Sequence, residues 1–143
     1  MEIRTEIRIH ASREKVWQIL TDFQNYPNWN PFIKAVEGTV KPGEKIRVRI
    51  EPPGAKGMTF KPKVLTVSHN QEFKWLGNLL IPGLFDGEHK FELIENEDGS
   101  TTFIQSEKFS GILVPLLKKQ LQNNTRKGFE AMNQKLKILA EQK

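Results

Sequence analysis

The 143-residue sequence predicts an α+β fold in which a curved antiparallel sheet is wrapped on one long C-terminal helix. Three observations lead there. Apolar and charged residues alternate at period two in several separate stretches, the mark of strands with one greasy face. A brief helical pattern follows the opening strand and is the first of two short helices. After Gly111 the period turns helical and stays so. Strands in series favour hairpins over βαβ crossovers, and about six to seven strands are expected in a single domain over 1–143.

The elements follow in order. Ile3, Ile7 and Ile9 share one face of the first strand, with Glu2, Arg4, Glu6 and Arg8 on the other. Ser12 supplies an N-cap hydroxyl and Glu14 suits the first turn. Val16, Ile19, Leu20 and Phe23 then recur at helical spacing to near Asp22. Between Asp22 and Phe32, Pro27 and Pro31 forbid a long helix, so a short second helix or turn with its aromatics packed as a plug is expected.

Downstream, Ile46, Val48 and Ile50 alternate with Lys45, Arg47 and Arg49, and residues 51–57 form a Pro- and Gly-rich loop. Phe60 to Val67 reads as one further strand whose Pro62 marks an edge, a bulge or a strand start. Phe73 and Trp75 define the next. Gly77 to Gly83 reads as a connector that is unusually apolar, with Leu79, Leu80, Ile81 and Pro82. Such a segment suits a lid, a surface that touches a membrane or partner, or a loop folded back on the helix.

The last hairpin turns at Asn96-Glu97-Asp98-Gly99. A three-residue connection with Gly99 in the left-handed position sets Leu93 opposite Phe103, Phe91 opposite Gln105 and His89 opposite Glu107. A two-residue Asp98-Gly99 turn would pair Leu93 with Ile104 and turn Glu107 to the other side. The first register is favoured. In the terminal helix Leu113, Leu117, Leu121, Gly128, Met132 and Leu139 lie near one stripe, with Phe129 and Leu136 beside it. With Pro115 in its first turn it runs to near Ala140, about 25 residues or about 40 Å long.

A straight rod on a curled sheet leaves a gap near its middle, to be filled by side chains or by a ligand. His89 and Glu107 are the candidate catalytic pair: a carboxylate beside a shielded imidazole fixes its tautomer and raises its basicity. The same pair could orient a ligand hydroxyl or carbonyl, or satisfy itself and order the sheet. Trp29 and Asn30 are candidates for the cavity floor. Phe60, Phe73, Trp75, Phe91 and Phe103 face the cavity by alternation, and Gln105, Leu117, Leu121 and Met132 complete the candidate lining.

Composition excludes other classes. No run approaches about 18 apolar residues, so no stable membrane insertion is expected, although the apolar loop leaves transient membrane contact open. The N-terminus alternates charge and apolarity from its start, unlike a signal peptide, and the chain has no cysteine, which suits a cytoplasmic protein. The net charge of +5 is spread among interleaved Lys, Arg and Glu, densest at Lys118-Lys119 with Arg126-Lys127 on a solvated helix face. No nucleic-acid module is present, so no nucleic-acid partner is expected. His10, His69 and His89 lack ligand spacing, and neither a phosphate loop nor a nucleophile elbow occurs. Neither metal nor cofactor is expected.

Several segments resemble the START-like, helix-grip (SRPBCC) superfamily, in particular its polyketide cyclase/dehydrase and lipid-transport branch. They are Ser12 to Trp17, Tyr26 to Phe32, Leu84 to Phe91, and Glu107 to Pro115 leading into the terminal helix. The likeness covers nearly the whole chain. It implies the helix-grip fold and an internal apolar cavity gated by loops, and it specifies activity poorly. The expected function is binding of a small hydrophobic molecule such as a lipid, polyketide or aromatic metabolite. A cyclase or dehydratase using His89 and Glu107 for proton transfer is the first alternative, and a protein-interaction module the second.

Overall fold

The computed structural model describes every residue except Leu80, with Leu79 described by its backbone alone. Strand β1 (Glu2–Ile9) is followed by α1 (Arg13–Thr21), a single 3-10 turn (Phe23–Asn25) and α2 (Tyr26–Trp29). The Ser12 hydroxyl caps α1 by accepting from the Lys15 amide at 3.2 Å. Strands β2 (Ile33–Glu37), β3 (Arg47–Ile50), β4 (Met58–Phe60), β5 (Lys63–Ser68), β6 (Glu72–Leu79), β7 (Phe85–Glu95) and β8 (Thr101–Ser110) come next. The chain ends in a continuous helical rod made of α3 (Val114–Gln120), a π turn (Leu121–Thr125) and α4 (Arg126–Glu141).

All strand pairs are antiparallel, in a five-stranded sheet of order β1-β8-β7-β6-β5 and a three-stranded sheet β2-β3-β4. The expected single strand from Phe60 to Val67 is two strands in different sheets. Pro62 lies between them, with no amide proton to continue a ladder. Its carbonyl still accepts from Ile46 at 3.0 Å, and Lys45 bridges to Lys63, so the two sheets remain joined along one bent surface.

The final hairpin adopts the three-residue register, with Leu93 opposite Phe103, Phe91 opposite Gln105 and His89 opposite Glu107. Asn96 donates to the Ser100 carbonyl at 2.8 Å and Gly99 takes φ +84°, where a side chain would be strained. The connector after β6 is shorter than expected, because Gly77, Asn78 and Leu79 still belong to the strand. Of its apolar residues, the Leu79 side chain and all of Leu80 lie outside the described residues. Ile81 is exposed, and the Gly83 and Leu84 carbonyls accept from Ile112 and Leu113, tying the connector to the start of α3.

The rod packs on β1 and α1, with Phe129, Met132, Asn133, Leu136 and Ala140 buried. This stripe is broader than the one a straight α-helix gives. Up to Leu121 the inward positions match the 3.6 period; a π turn then adds a residue, and beyond it the buried face extends to positions one later as well. Gly128 and Met132 are buried as expected, with Phe129, Asn133 and Leu136 beside them, while at the far end Ala140 is buried and Leu139 only half-buried. Gly128 remains against the core because Phe32 lies over it: a Cβ there would collide with the Phe32 ring. Phe73, Phe91 and Phe103 stack across the sheet at centroid distances of 5.9 and 6.0 Å, filling the core below α4. No helix among the described residues is long and apolar enough to cross a membrane.

Candidate functional site

Beside this packed core, under α3 and the π turn, lies a cavity of about 250 Å³. Its sheet wall is built from Trp75 and Gly77 of β6, Phe85, Gly87 and His89 of β7, and Glu107 and Phe109 of β8. Ile33, Ile50, Met58 and Phe60 of the smaller sheet close one side, and Phe32 separates the cavity from α4. Leu117 and Leu121 form the roof with Gln120, Asn124 and Thr125, and Lys56 of the Pro-rich loop stands exposed at the rim. A wider trough of about 700 Å³ beside Trp17, Phe23 and Val36 is walled by the exposed Asp22, Gln24 and Glu37, and is a solvent groove.

Paired glycines explain why there is space at all. Gly77 and Gly87 face each other across β6 and β7. A Cβ on Gly77 would stand 3.2 Å from the Phe60 ring, and one on Gly87 would collide with Glu107 Oε2. The bare backbone therefore lets Phe60 and the Glu107 carboxylate lie flat on the sheet.

His89 is 3% exposed, and its ring is boxed by Phe91, Phe129 and Trp75 at centroid distances of 4.7, 5.0 and 5.2 Å. Its Nδ1 meets Glu107 Oε1 at 3.1 Å and its Nε2 meets Gln105 Oε1 at 3.0 Å. The Gln105 amide nitrogen donates to Asn133 Oδ1 at 2.8 Å, and the Asn133 amide nitrogen donates to the Thr5 hydroxyl at 2.9 Å. Thr5 in turn donates to the Gln105 backbone carbonyl at 3.0 Å. An unbroken polar chain thus crosses an apolar core, each link contributing about 0.5–1.5 kcal/mol net. Glu107 Oε2 has no partner among the described residues and lies over Gly87 in the cavity wall. The arrangement can hold a proton beside an apolar space and present a carboxyl oxygen to whatever fills it.

Of the candidate residues, the cavity brings together His89, Glu107, Phe60, Trp75, Leu117 and Leu121. Phe73, Phe91, Phe103 and Met132 are fully buried in the neighbouring packed core, and Gln105 lies behind His89. Asn30 Oδ1 accepts from the Phe32 and Ile33 amides at 3.0 and 2.8 Å and sets the start of β2. Trp29 packs edge-on against Tyr26 at 5.3 Å, away from the cavity.

Reading by residue type passed over Gly77, Gly87, Thr5 and Asn133. Thr5 had a signal, as the polar member of the Ile3–Ile7–Ile9 face. Asn133 had a weaker one, four residues after Phe129 and three before Leu136 at the edge of the helix's apolar face.

The sequence matches the family described as "Polyketide cyclase / dehydrase and lipid transport" over residues 1–141, and the chain belongs to it. The solved structures it resembles fall in the same fold. A START superfamily protein from Mycobacterium smegmatis superposes with a TM-score of 0.75 at 20% identity, over 98% of this chain and 97% of that one. The di-domain ARO/CYC protein BexL from the BE-7585A biosynthetic pathway gives 0.79 at 14% identity, covering all of this chain, which spans 50% of BexL. A norcoclaurine synthase point mutant from Thalictrum flavum, in complex with a transition-state analogue, gives 0.74 at 14% over 98% of this chain and 93% of that one. No curated protein matches the sequence. At these identities the structural likenesses establish the fold.

Proposed function

We propose that this protein binds a small hydrophobic molecule carrying one neutral hydrogen-bonding group, in the cavity between the sheet and the terminal rod. The observation that carries this reading is a carboxyl oxygen, Glu107 Oε2, standing in a mostly apolar wall next to a void. Sites for drug-sized ligands run to about 300–1,000 Å³, and an engineered cavity of about 150 Å³ holds benzene. A volume of about 250 Å³ therefore suits one or two rings, or a short chain, better than a long acyl tail. The family's description, with cyclases and lipid transport side by side, agrees with an enclosed apolar guest.

The second reading is an enzyme of the cyclase or dehydratase type, and the His89–Glu107 contact of 3.1 Å favours it. In it the pair moves a proton to or from a carbonyl-bearing substrate held in the cavity. A protein-interaction module is supported least, since it needs no void. Native mass spectrometry of the protein purified from its own host tests the first reading. A co-purifying small molecule is the expected result. If a naphthol, a short aromatic alcohol and an eight-carbon alcohol all fail to bind as well, the reading falls. His89→Ala separates the two: affinity stays within a few fold for a carrier, whereas turnover is lost for an enzyme.

A further inference from the structure

The polar chain behind the cavity has a direction, and its direction can be read from its far end. Carbonyl oxygens only accept, so the Thr5 hydroxyl spends its single proton on the Gln105 backbone carbonyl at 3.0 Å. Thr5 Oγ1 must then accept from Asn133, which turns the Asn133 amide nitrogen toward Thr5 and its oxygen toward Gln105. That oxygen takes the Gln105 amide proton, leaving Gln105 Oε1 to face His89 Nε2 at 3.0 Å. An amide oxygen cannot donate, so Nε2 carries a hydrogen. Reversing both amides would leave the Thr5 hydroxyl oxygen and the carbonyl oxygen opposed at 3.0 Å with no proton between them.

We infer that Thr5, Gln105 and Asn133 are positioning residues that hold His89 protonated at Nε2, so that Nδ1 and Glu107 Oε1 share one proton. Both imidazole nitrogens are then engaged, so although the His89 ring lines the cavity wall, its nitrogens exchange a proton with a guest only through Glu107. Oε2, lying over Gly87, is the atom that meets a ligand's polar group. With the pair's proton held on the Oε1 side, Oε2 is a bare acceptor, matched to a neutral hydroxyl or N–H donor and not to a carbonyl or a second carboxylate. This last step rests on the cavity being a binding site; the protonation of His89 does not.

Long-range proton–nitrogen correlation spectra of His89 in the ligand-free protein test the inference directly. The expected pattern is a protonated Nε2 in the native chain. Thr5→Val, close in shape but without the hydroxyl, frees both amides to turn and produces a mixture of His89 tautomers three hydrogen bonds away. Thr5→Ser retains the native pattern. A native His89 with a bare Nε2 overturns the inference without any variant, and so does a Thr5→Val protein whose His89 nitrogens are unchanged. Neither result bears on whether naphthol enters the cavity, so failure of the binding reading is recognised separately.

Discussion

The Glu107 carboxylate lies across β7 in the space that a side chain on Gly87 would fill. The two residues are not paired in the ladder, since Gly87 faces Phe109 and Glu107 faces His89. Their contact is diagonal and comes from Glu107 leaning along the sheet into the cavity.

Gly87→Ala therefore displaces the carboxylate and disturbs its contact with His89. A hydrogen bond to a charged group contributes about 1.5–3 kcal/mol, so affinity for a naphthol probe should fall roughly ten- to a hundredfold by isothermal titration calorimetry. Melting should drop by only a few degrees, and the double variant Gly87→Ala with Glu107→Ala should recover that loss. An unchanged affinity in Gly87→Ala would contradict the role given to Oε2.

Filling the cavity should separate stability from binding. Leu121→Phe extends a ring from the roof into a void of about 250 Å³. Cavity-filling changes commonly add about 0.5–2 kcal/mol, so the melting temperature should rise by roughly 2–6 °C while naphthol binding is lost. A stabilised variant that still binds the probe would place the guest elsewhere.

Tyr26, the single tyrosine, is fully buried and donates to the Leu20 carbonyl. Burial first, and the Asp22 charge second, push its phenol far above the ordinary value of 10.0. The native state keeps its proton where the unfolded chain releases one. This contribution to stability is complete below pH 10.0 and lost progressively above it. In an alkaline titration the ultraviolet absorbance of tyrosinate should appear only together with loss of circular dichroism. Tyrosinate forming in a fully folded chain would contradict this.

Asp98 at the hairpin tip works in the opposite sense. The Ser100 hydroxyl and amide, then the Arg8 guanidinium, hold its carboxyl at about 2 against an ordinary 3.8. Its contribution is present above pH 3.8 and lost as pH falls through about 2. The melting-temperature gap between the native chain and Asp98→Asn should narrow across that window, and the Asp98 carboxyl carbon resonance should titrate near its lower end. A titration midpoint close to 3.8 would remove the claim.

Much of the fold was legible because it depends on periods. Alternation placed His89, Phe91, Leu93, Phe103, Gln105 and Glu107 on one face, and Gly99 selected the hairpin register that sets His89 opposite Glu107. Ser12 announced the first helix by its capping chemistry. The break at Pro62 was visible as a proline but not as a change of sheet, because which strand a segment joins is decided by partners distant in sequence.

The α+β class, the facing of the strands and the presence of a polar pair on an apolar face all follow from local propensity and side-chain alternation. Tertiary structure alone decided how the interior divides into packed core and void. It set Phe32 against Gly128, kept Phe73, Phe91, Phe103 and Met132 in the solid part, and laid Phe60 and the Glu107 carboxylate over Gly77 and Gly87 in the cavity wall. It also placed the π turn and brought Asn133, at the edge of the rod's apolar face, against Gln105 and Thr5. Contacts between residues distant in sequence decide these things, and nothing in a local 3.6-residue pattern says where a helix will widen or which ring will fill a gap.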